Sequence, residues 1–282
     1  MSITSDDNLN IKAIQAKSLS ILYEIHNFCS EHKIRYFIIG GTLIGAVRHN
    51  GFVPWDDDID IAMPRPDYEK FLKLAQLLPF PLEAQDPQNH TDYIYNYSKV
   101  YDTSTTAVED YSKPFVRGLW VDIFPLDGTF ENKTARKIHF YIIHRFSRLL
   151  MYRRKSYAKS GTILKRSVQT LHYLISLFFP QQLLVSTINK LANIKSFESS
   201  KYVGNLFGRW REKEVVDKKV FDESANYDFS GIKVIGPKDY HQWLSKVYGN
   251  YMKLPPIEQQ KPDHSLLKLC LNKSYKSTEY RD

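Results

Sequence analysis

Four aspartates lie within five residues of the sequence WDDDID, at Asp56, Asp57, Asp58 and Asp60, in a chain of formal net charge +8. In a strand, residues two apart share a face, so Asp56, Asp58 and Asp60 are predicted to point together. Carboxylates at that spacing lie ~7 Å apart and repel by about 2 kcal/mol per pair at an effective dielectric constant of 20. A divalent cation such as Mg²⁺, or Mn²⁺ as an alternative, would offset that repulsion. A solvated acidic turn is the competing interpretation, and the apolar residues on both sides argue against it.

Other residues are candidates for the same site. Asp122 is a single aspartate in the apolar run LWVDIF, so it is the candidate third carboxylate, with a hydrogen-bonded core aspartate as the alternative. Gly40, Gly41 and Thr42 lie between a predicted strand and a predicted helix, where glycine lets backbone N–H groups approach a phosphate. Most Gly-Gly pairs are merely turns, so this signal alone is weak. Asp127, in the sequence PLDG, is interpreted as a turn residue.

The elements that must position these residues follow from periodicity and turn signals. They are a helix over 11–32, a buried strand over 34–40, a short helix over 42–51, a strand over 58–63, a helix over 67–78, paired strands over 94–101 and 103–110, a strand running into a turn over 118–128, and a Pro-initiated helix near 240. The predicted fold class is α/β (α+β), a small mixed sheet flanked by helices. We expect a core over 1–130, a basic helical insert over 131–200 and a C-terminal part, 201–282, that returns to the core.

The positive charge is concentrated in the predicted insert. Residues 132–197 contain no Asp or Glu and carry thirteen Lys and Arg residues, more than the net charge of the whole chain. Aromatic and aliphatic residues alternate with these cations, a composition typical of a segment on an anionic membrane surface. A helical domain with a basic solvent face is the alternative. Nucleic acid is not an expected partner, because no recognition helix, stacking platform or zinc motif accompanies the charge.

Composition restricts the cellular setting. The polar, acidic start of the chain does not resemble a secretory signal, and no apolar run is long enough to span a bilayer. Cys29 and Cys270 are the only cysteines and have no metal-site spacing. A cytoplasmic protein, peripheral on the inner face of the cytoplasmic membrane if the insert binds lipid, is therefore expected.

Three segments of the sequence resemble the LicD family, whose best-known members are phosphorylcholine transferases and whose relatives include fukutin-type proteins. Residues 39–63, IGGTLIGAVRHNGFVPWDDDIDIAM, are similar to the family's hallmark nearly residue for residue. Residues 118–128, GLWVDIFPLDG, resemble its second block, and residues 240–256, YHQWLSKVYGNYMKLPP, resemble its third more loosely. Together they cover about a third of the chain.

The resemblance implies a nucleotidyltransferase-type fold with a Gly-Gly turn and a D-x-D metal pair. Position by position, it implies that Gly40 and Gly41 form the donor-phosphate turn. It makes Asp58, Asp60 and Asp122 the metal ligands and catalytic acids, with Asp122 or Asp60 positioning or deprotonating the acceptor hydroxyl.

The implied reaction is Mg²⁺-dependent transfer of phosphorylcholine from CDP-choline to a hydroxyl of a cell-surface glycan, such as a teichoic acid, lipopolysaccharide or capsule precursor. Three alternatives remain: transfer from another CDP-alcohol carrying ribitol, glycerol or ethanolamine phosphate, a D-x-D metal-dependent glycosyltransferase, and a non-catalytic adaptor at the membrane surface. The acceptor is expected to be a glycan or a lipid-linked glycan.

Further residues are candidates for substrate binding. Lys99, Arg48 and Arg117 could clamp phosphate oxygens. A solvated surface charge is an equal alternative for Lys99 and Arg117, and Arg48 could instead complement a helix dipole. His264 stands where the family often has histidines after Pro-Pro, so substrate binding is implied only weakly.

Overall fold

The structure is a computed structural model that describes residues 11–157 and 162–277. The acidic start of the chain and Lys159 of the basic segment lie outside the described residues. The helices are α1 Ile11–Glu31, α2 Gly40–His49, α3 Arg65–Leu74, α4 Lys133–Arg154, α5 Ile163–Leu177, α6 Gln181–Ala192 and α7 Tyr240–Tyr248. The strands are β1 Phe37–Ile38, β2 Asp60–Pro64, β3 Leu82–Gln85, β4 Ser98–Glu109, β5 Phe115–Thr129, β6 Tyr202–Gly204, β7 Val215–Asp217, β8 Ser224–Phe229, β9 Ile232–Pro237 and β10 Leu266–Cys270.

A mixed sheet forms the centre of the described chain, as the predicted fold class requires. Its strand order is β1-β2-β5-β4-β10, while β3 also pairs with β4, β6 with β5 and β7 with β6. The β2 and β5 strands are parallel, and the other pairs are antiparallel. A separate hairpin, β8–β9, packs its Val234 and Phe229 into the main core. Asp60 at the start of β2 and Asp122 in the middle of β5 are thereby held side by side.

The first two helices follow directly from their sequences. Apolar residues recur at helical spacing along α1 and are buried in the same core as β1 and β2. The α2 helix begins at Gly40, whose φ of +60° suits glycine. It ends before Asn50, whose left-handed φ of +52° is a common helix terminus. The predicted helices over 11–32 and 42–51 are thus confirmed, although α2 already includes both glycines.

Three predicted elements differ from the structure. Residues 98–109 form one strand with a register shift between Asp102 and Ala107, rather than two paired strands, because β5 pairs with it on both sides of that shift. The β5 strand continues through Asp127 to its end at Thr129, so the predicted turn is wrong. The β2 strand begins only at Asp60, so Asp56 and Asp58 lie in the loop before it and do not share a strand face.

The basic segment contains α4, α5 and α6, with α4 packed against both other helices. A small apolar cluster that includes Leu150, Leu184 and Ile188 holds α4 to α6. No single described helix is long and apolar enough to cross a bilayer, and α5 with α6 meets that test only as a pair bent by 90°. The domain limits at 130 and 200 remain predictions.

Candidate active site

Parallel pairing of β2 with β5 brings three carboxylates together. The register sets Asp60 opposite Asp122, and Asp58 lies two residues before Asp60 in the loop. One carboxylate oxygen from each of the three lies within 4.8 Å of the others. Ligand oxygens around one Mg²⁺ ion lie about 3 to 4 Å apart, so this cluster is of the right size for a cation. The structure thus brings together the three acids that the sequence predicted.

The start of α2 packs directly against the acidic run. A Cβ atom added to Gly40 would lie 2.5 Å from Asp60 Oδ2, and one added to Gly41 would collide with the Asp56 carboxylate. The Asp60 N–H donates a hydrogen bond of 2.9 Å to Thr42 Oγ1. The glycines are therefore required because the carboxylates come so close, and the positive end of the helix dipole faces them. A Gly-Gly turn separate from the helix is not present.

Burial and mutual repulsion both raise the pKa values of the carboxylates in this cluster. Burial, followed by the charge of Asp58, raises the pKa of Asp60 and of Asp56 well above the usual value for aspartate. Burial also raises the pKa of Asp58 and of Asp122, against the opposing effects of His264 and Lys99. Asp58 is only 17% exposed. The protein therefore holds these carboxylates at a cost that a bound cation would remove.

Lys99 is the internal counter-charge of Asp122. It is fully buried, with Nζ 2.9 Å from Asp122 Oδ1 and 4.1 Å from the ring centroids of both Tyr95 and Trp120. The interpretation of Lys99 as a solvated surface charge is wrong, because β4 places it on the buried side of the sheet opposite Asp122. The ammonium group therefore makes cation–π contacts with two aromatic rings and an ion pair with one carboxylate.

His264 closes the other side of the cluster. The Asp57 carboxylate accepts hydrogen bonds from the N–H groups of Asp263 and His264, at 3.2 and 3.3 Å. His264 Nδ1 lies 3.2 Å from Asp57 Oδ1 and 3.8 Å from Asp58 Oδ2, and its ring meets the edge of Trp120. Burial alone would lower the pKa of His264, but the Asp57 hydrogen bond and the Asp58 charge raise it to about 9. A protonated imidazole therefore stands beside the carboxylates at neutral pH.

The two candidate arginines have protein partners instead. Arg48 donates a hydrogen bond of 2.7 Å to the carbonyl oxygen of Tyr251 and another to His49. Arg117 forms an ion pair of 2.6 Å with Asp92, so it is not a freely solvated charge. Neither contact brings the guanidinium group to the three carboxylates, and phosphate binding by these residues remains a prediction.

A cavity of about 410 Å³ shares two tyrosines with the surroundings of Lys99. Its lining includes Tyr95, Tyr97 and Tyr111 on one side, with Arg148 and Arg211 on another. Tyr95 and Tyr97 also face the Lys99 ammonium group, which in turn contacts Asp122. A larger cavity of about 710 Å³ lies near β3, and neither cavity has any of the three carboxylates in its lining.

Sequence reasoning missed Glu214, a buried acid near the cluster. Glu214 accepts a hydrogen bond of 2.9 Å from the Trp210 N–H, and its charge contributes to the raised pKa of Asp60. Gly208 leaves the space that its carboxylate fills. Burial raises the pKa of Glu214 from 4.5 to about 7 despite the Trp210 hydrogen bond. Only the contrast between EKE and the following apolar VV marked this residue in the sequence.

Glu214 should therefore make stability depend on pH. Because the folded state binds its proton more tightly than the unfolded state, the free energy of unfolding falls as pH rises from 4.5 to about 7 and then levels off. Over that pH range, the free energy of unfolding of Glu214→Gln should rise by about 3 kcal/mol relative to that of the wild type, since one pKa unit corresponds to about 1.4 kcal/mol. Urea unfolding at a series of pH values in chelator measures this difference. A difference independent of pH would contradict the raised pKa.

Comparison with known proteins agrees with this geometry. A family model described as the LicD/FKTN/FKRP nucleotidyltransferase domain matches residues 33–161. The chain is 31% identical over 265 residues to the lipopolysaccharide cholinephosphotransferase LicD of Haemophilus influenzae, and the match covers 91% of this chain and 96% of that protein. An uncharacterized protein of Rickettsia prowazekii is 38% identical over 79 residues, 27% of this chain and 29% of that protein. Because the first match extends over nearly all of both proteins, the resemblance seen in the sequence is confirmed, and the chain belongs to the LicD family.

Proposed function

We propose that this protein is a phosphotransferase that transfers phosphocholine from CDP-choline to a hydroxyl group of lipopolysaccharide. The observation that carries the proposal is the meeting of Asp58, Asp60 and Asp122 beside the start of α2. The near full-length similarity to a lipopolysaccharide cholinephosphotransferase supports the choice of donor group and acceptor. A protein without catalytic activity would have no reason to keep mutually repelling carboxylates together, which argues against a non-catalytic adaptor at the membrane surface.

The cofactor in this proposal is Mg²⁺, with Mn²⁺ as the alternative. Asp58, Asp60 and Asp122 would hold it, because their oxygens lie within 4.8 Å of one another and their mutual repulsion calls for a cation. When bound, the ion would neutralise charge that develops on the phosphates of the donor.

The residues of the chain have separate roles in the proposed reaction. The Lys99 ammonium group opposes the rise that burial causes in the pKa of Asp122 and fixes the orientation of its carboxylate. Asp122 or Asp60 positions the acceptor hydroxyl and takes up its proton, as the hydroxyl oxygen attacks the phosphorus and CMP leaves. The protonated His264, held by Asp57, presents positive charge to the donor phosphates next to Asp58.

The tyrosine-lined cavity is suited to the rest of the donor. Aromatic faces stack on a nucleobase, and the guanidinium group of Arg148 binds phosphate oxygens. We expect Arg148→Ala to raise the KM for CDP-choline about tenfold with little change in kcat, since a charged hydrogen bond contributes about 1.5 kcal/mol or more. Arg145→Ala, on the same helix but outside the cavity lining, should leave KM unchanged. Equal effects of the two variants would place the donor elsewhere.

The decisive assay measures both products. Purified protein is incubated with CDP-choline, Mg²⁺ and lipopolysaccharide, CMP release is followed, and the mass of the acceptor is determined. An acceptor heavier by one phosphocholine group supports the proposal. Faster CMP release with CDP-ribitol, CDP-glycerol or CDP-ethanolamine would reassign the donor. Addition of a sugar from a nucleotide sugar would indicate a glycosyltransferase, and absence of both turnover and nucleotide binding by calorimetry would favour the adaptor.

A further inference from the structure

The α5 helix is turned with its polar side inward and its apolar side outward. The face that packs on α4 carries His172, stacked on Tyr152 at 4.8 Å between ring centroids, and the buried Ser176. The outward stripe recurs at helical spacing and includes Leu164, which is 76% exposed. The exposed apolar residues of this helix and its end are Ile163, Leu164, Val168, Leu171, Leu174, Ile175, Leu177 and Phe178. We name this set the α5 apolar face.

An exposed face of this size indicates a binding surface. An amphipathic helix ordinarily buries its apolar stripe against the protein core, and large contiguous apolar patches on a protein surface mark contacts with another molecule. Here the inward side of the helix packs on α4, and the apolar stripe stays exposed on the opposite side.

The charge around the α5 apolar face identifies the partner as anionic. Lys165 and Arg166 are exposed in the first turn of α5, and the segment 132–197 contains thirteen cations and no acid. A second copy of the chain would bring a second set of thirteen cations against the first, which disfavours self-association through this face. A bilayer with anionic headgroups offers both the apolar interior and the opposite charge.

We propose that α5 lies flat in the headgroup region of an anionic bilayer, with its apolar face immersed and the cations of the segment against lipid phosphates. The helix has 15 residues, a length of about 22 Å, which is shorter than the hydrocarbon core. The break before α6 turns the chain by 90°, so the two helices do not form a straight span. The contact is therefore interfacial.

This inference stands apart from the proposed transferase activity, because lipid binding needs no turnover. Co-sedimentation of the full chain with two kinds of vesicle tests it directly. One kind contains phosphatidylcholine alone, and in the other about a third of the lipid is phosphatidylglycerol. We expect binding to the anionic vesicles that weakens with added salt. We expect at least a tenfold loss of affinity in Leu171→Glu, which puts a charge in the middle of the α5 apolar face.

Matched variants separate lipid contact from other effects. Leu171→Met keeps the face apolar and should bind like the wild type, as should Gln242→Glu, which adds the same charge on the exposed side of α7. Circular dichroism checks that Leu171→Glu is folded. Equal binding to both kinds of vesicle, or no loss in Leu171→Glu, would overturn the proposal. So would sedimentation velocity showing a dimer that Leu171→Glu dissociates, because the face would then join two copies.

Discussion

Asp60→Asn is expected to reduce CMP release by at least ~1,000-fold while the chain stays folded, because a lost metal ligand removes several kcal/mol of transition-state stabilisation. Asp60 faces Asp122 across the parallel pair and packs against Gly40, so the variant keeps the shape of the site but not its charge. Since burial and neighbouring charges raise the pKa of Asp60 well above its usual value, neutral asparagine should not lower the stability of the metal-free protein. Turnover and urea unfolding measure the two effects separately.

A metal-binding readout gives this prediction a control that is independent of activity. Added Mg²⁺ should raise the unfolding temperature of the wild type and not that of Asp60→Asn, because only a ligand bound to the folded state stabilises it. Asp222→Asn, at an exposed ion pair with Lys218, should behave like the wild type in both measurements. Full turnover in Asp60→Asn, or an equal response to Mg²⁺ in all three proteins, would disprove the role of this carboxylate.

Arg65→Met and Asp127→Leu are each expected to lower the free energy of unfolding by about 3–5 kcal/mol, because each leaves a buried charge without its partner. Arg65 donates two hydrogen bonds to the Asp127 carboxylate, at 2.6 and 2.5 Å, and both side chains are at least nine-tenths buried. This pair joins the start of α3 to β5. Urea unfolding of the two single variants and the wild type measures the loss.

The double variant decides whether the pair or the packing is responsible. Arg65→Met combined with Asp127→Leu should recover most of the lost stability, since two apolar residues of similar volume leave no unpaired charge. Lys218→Met, at an exposed ion pair, should change stability within experimental error. Losses that add in the double variant would contradict the coupling.

Local sequence patterns were enough to predict the centre of the site. The residues from Gly40 to Asp60 carry their own signals: a glycine pair, a helix stop at Asn50 and repelling carboxylates before an apolar strand. Asp122 could be selected because a single acid in an apolar strand needs a partner. These features depend on neighbours within a few residues or on one strand pairing, and for that reason they can be predicted from the sequence.

The parts that were not predicted depend on contacts between distant residues. Asp57 and His264 are 207 positions apart, and no local periodicity reports that they touch. The burial of Lys99 depends on its register with β5, and Asp127 was assigned to a turn because its partner Arg65 is 62 residues away. The outward orientation of α5 was also hidden, since an amphipathic pattern does not say which side faces the protein.

The contact between Asp57 and His264 joins the acidic loop to a residue that is synthesised much later in the chain. His264 leaves the ribosome 207 positions after Asp57, and β10, which follows it, pairs with β4 through Leu266 and Glu109. A chain that stops before residue 264 therefore carries the acidic loop but lacks the imidazole that contacts Asp57. We expect such truncated forms to be poor catalysts even with every carboxylate in place.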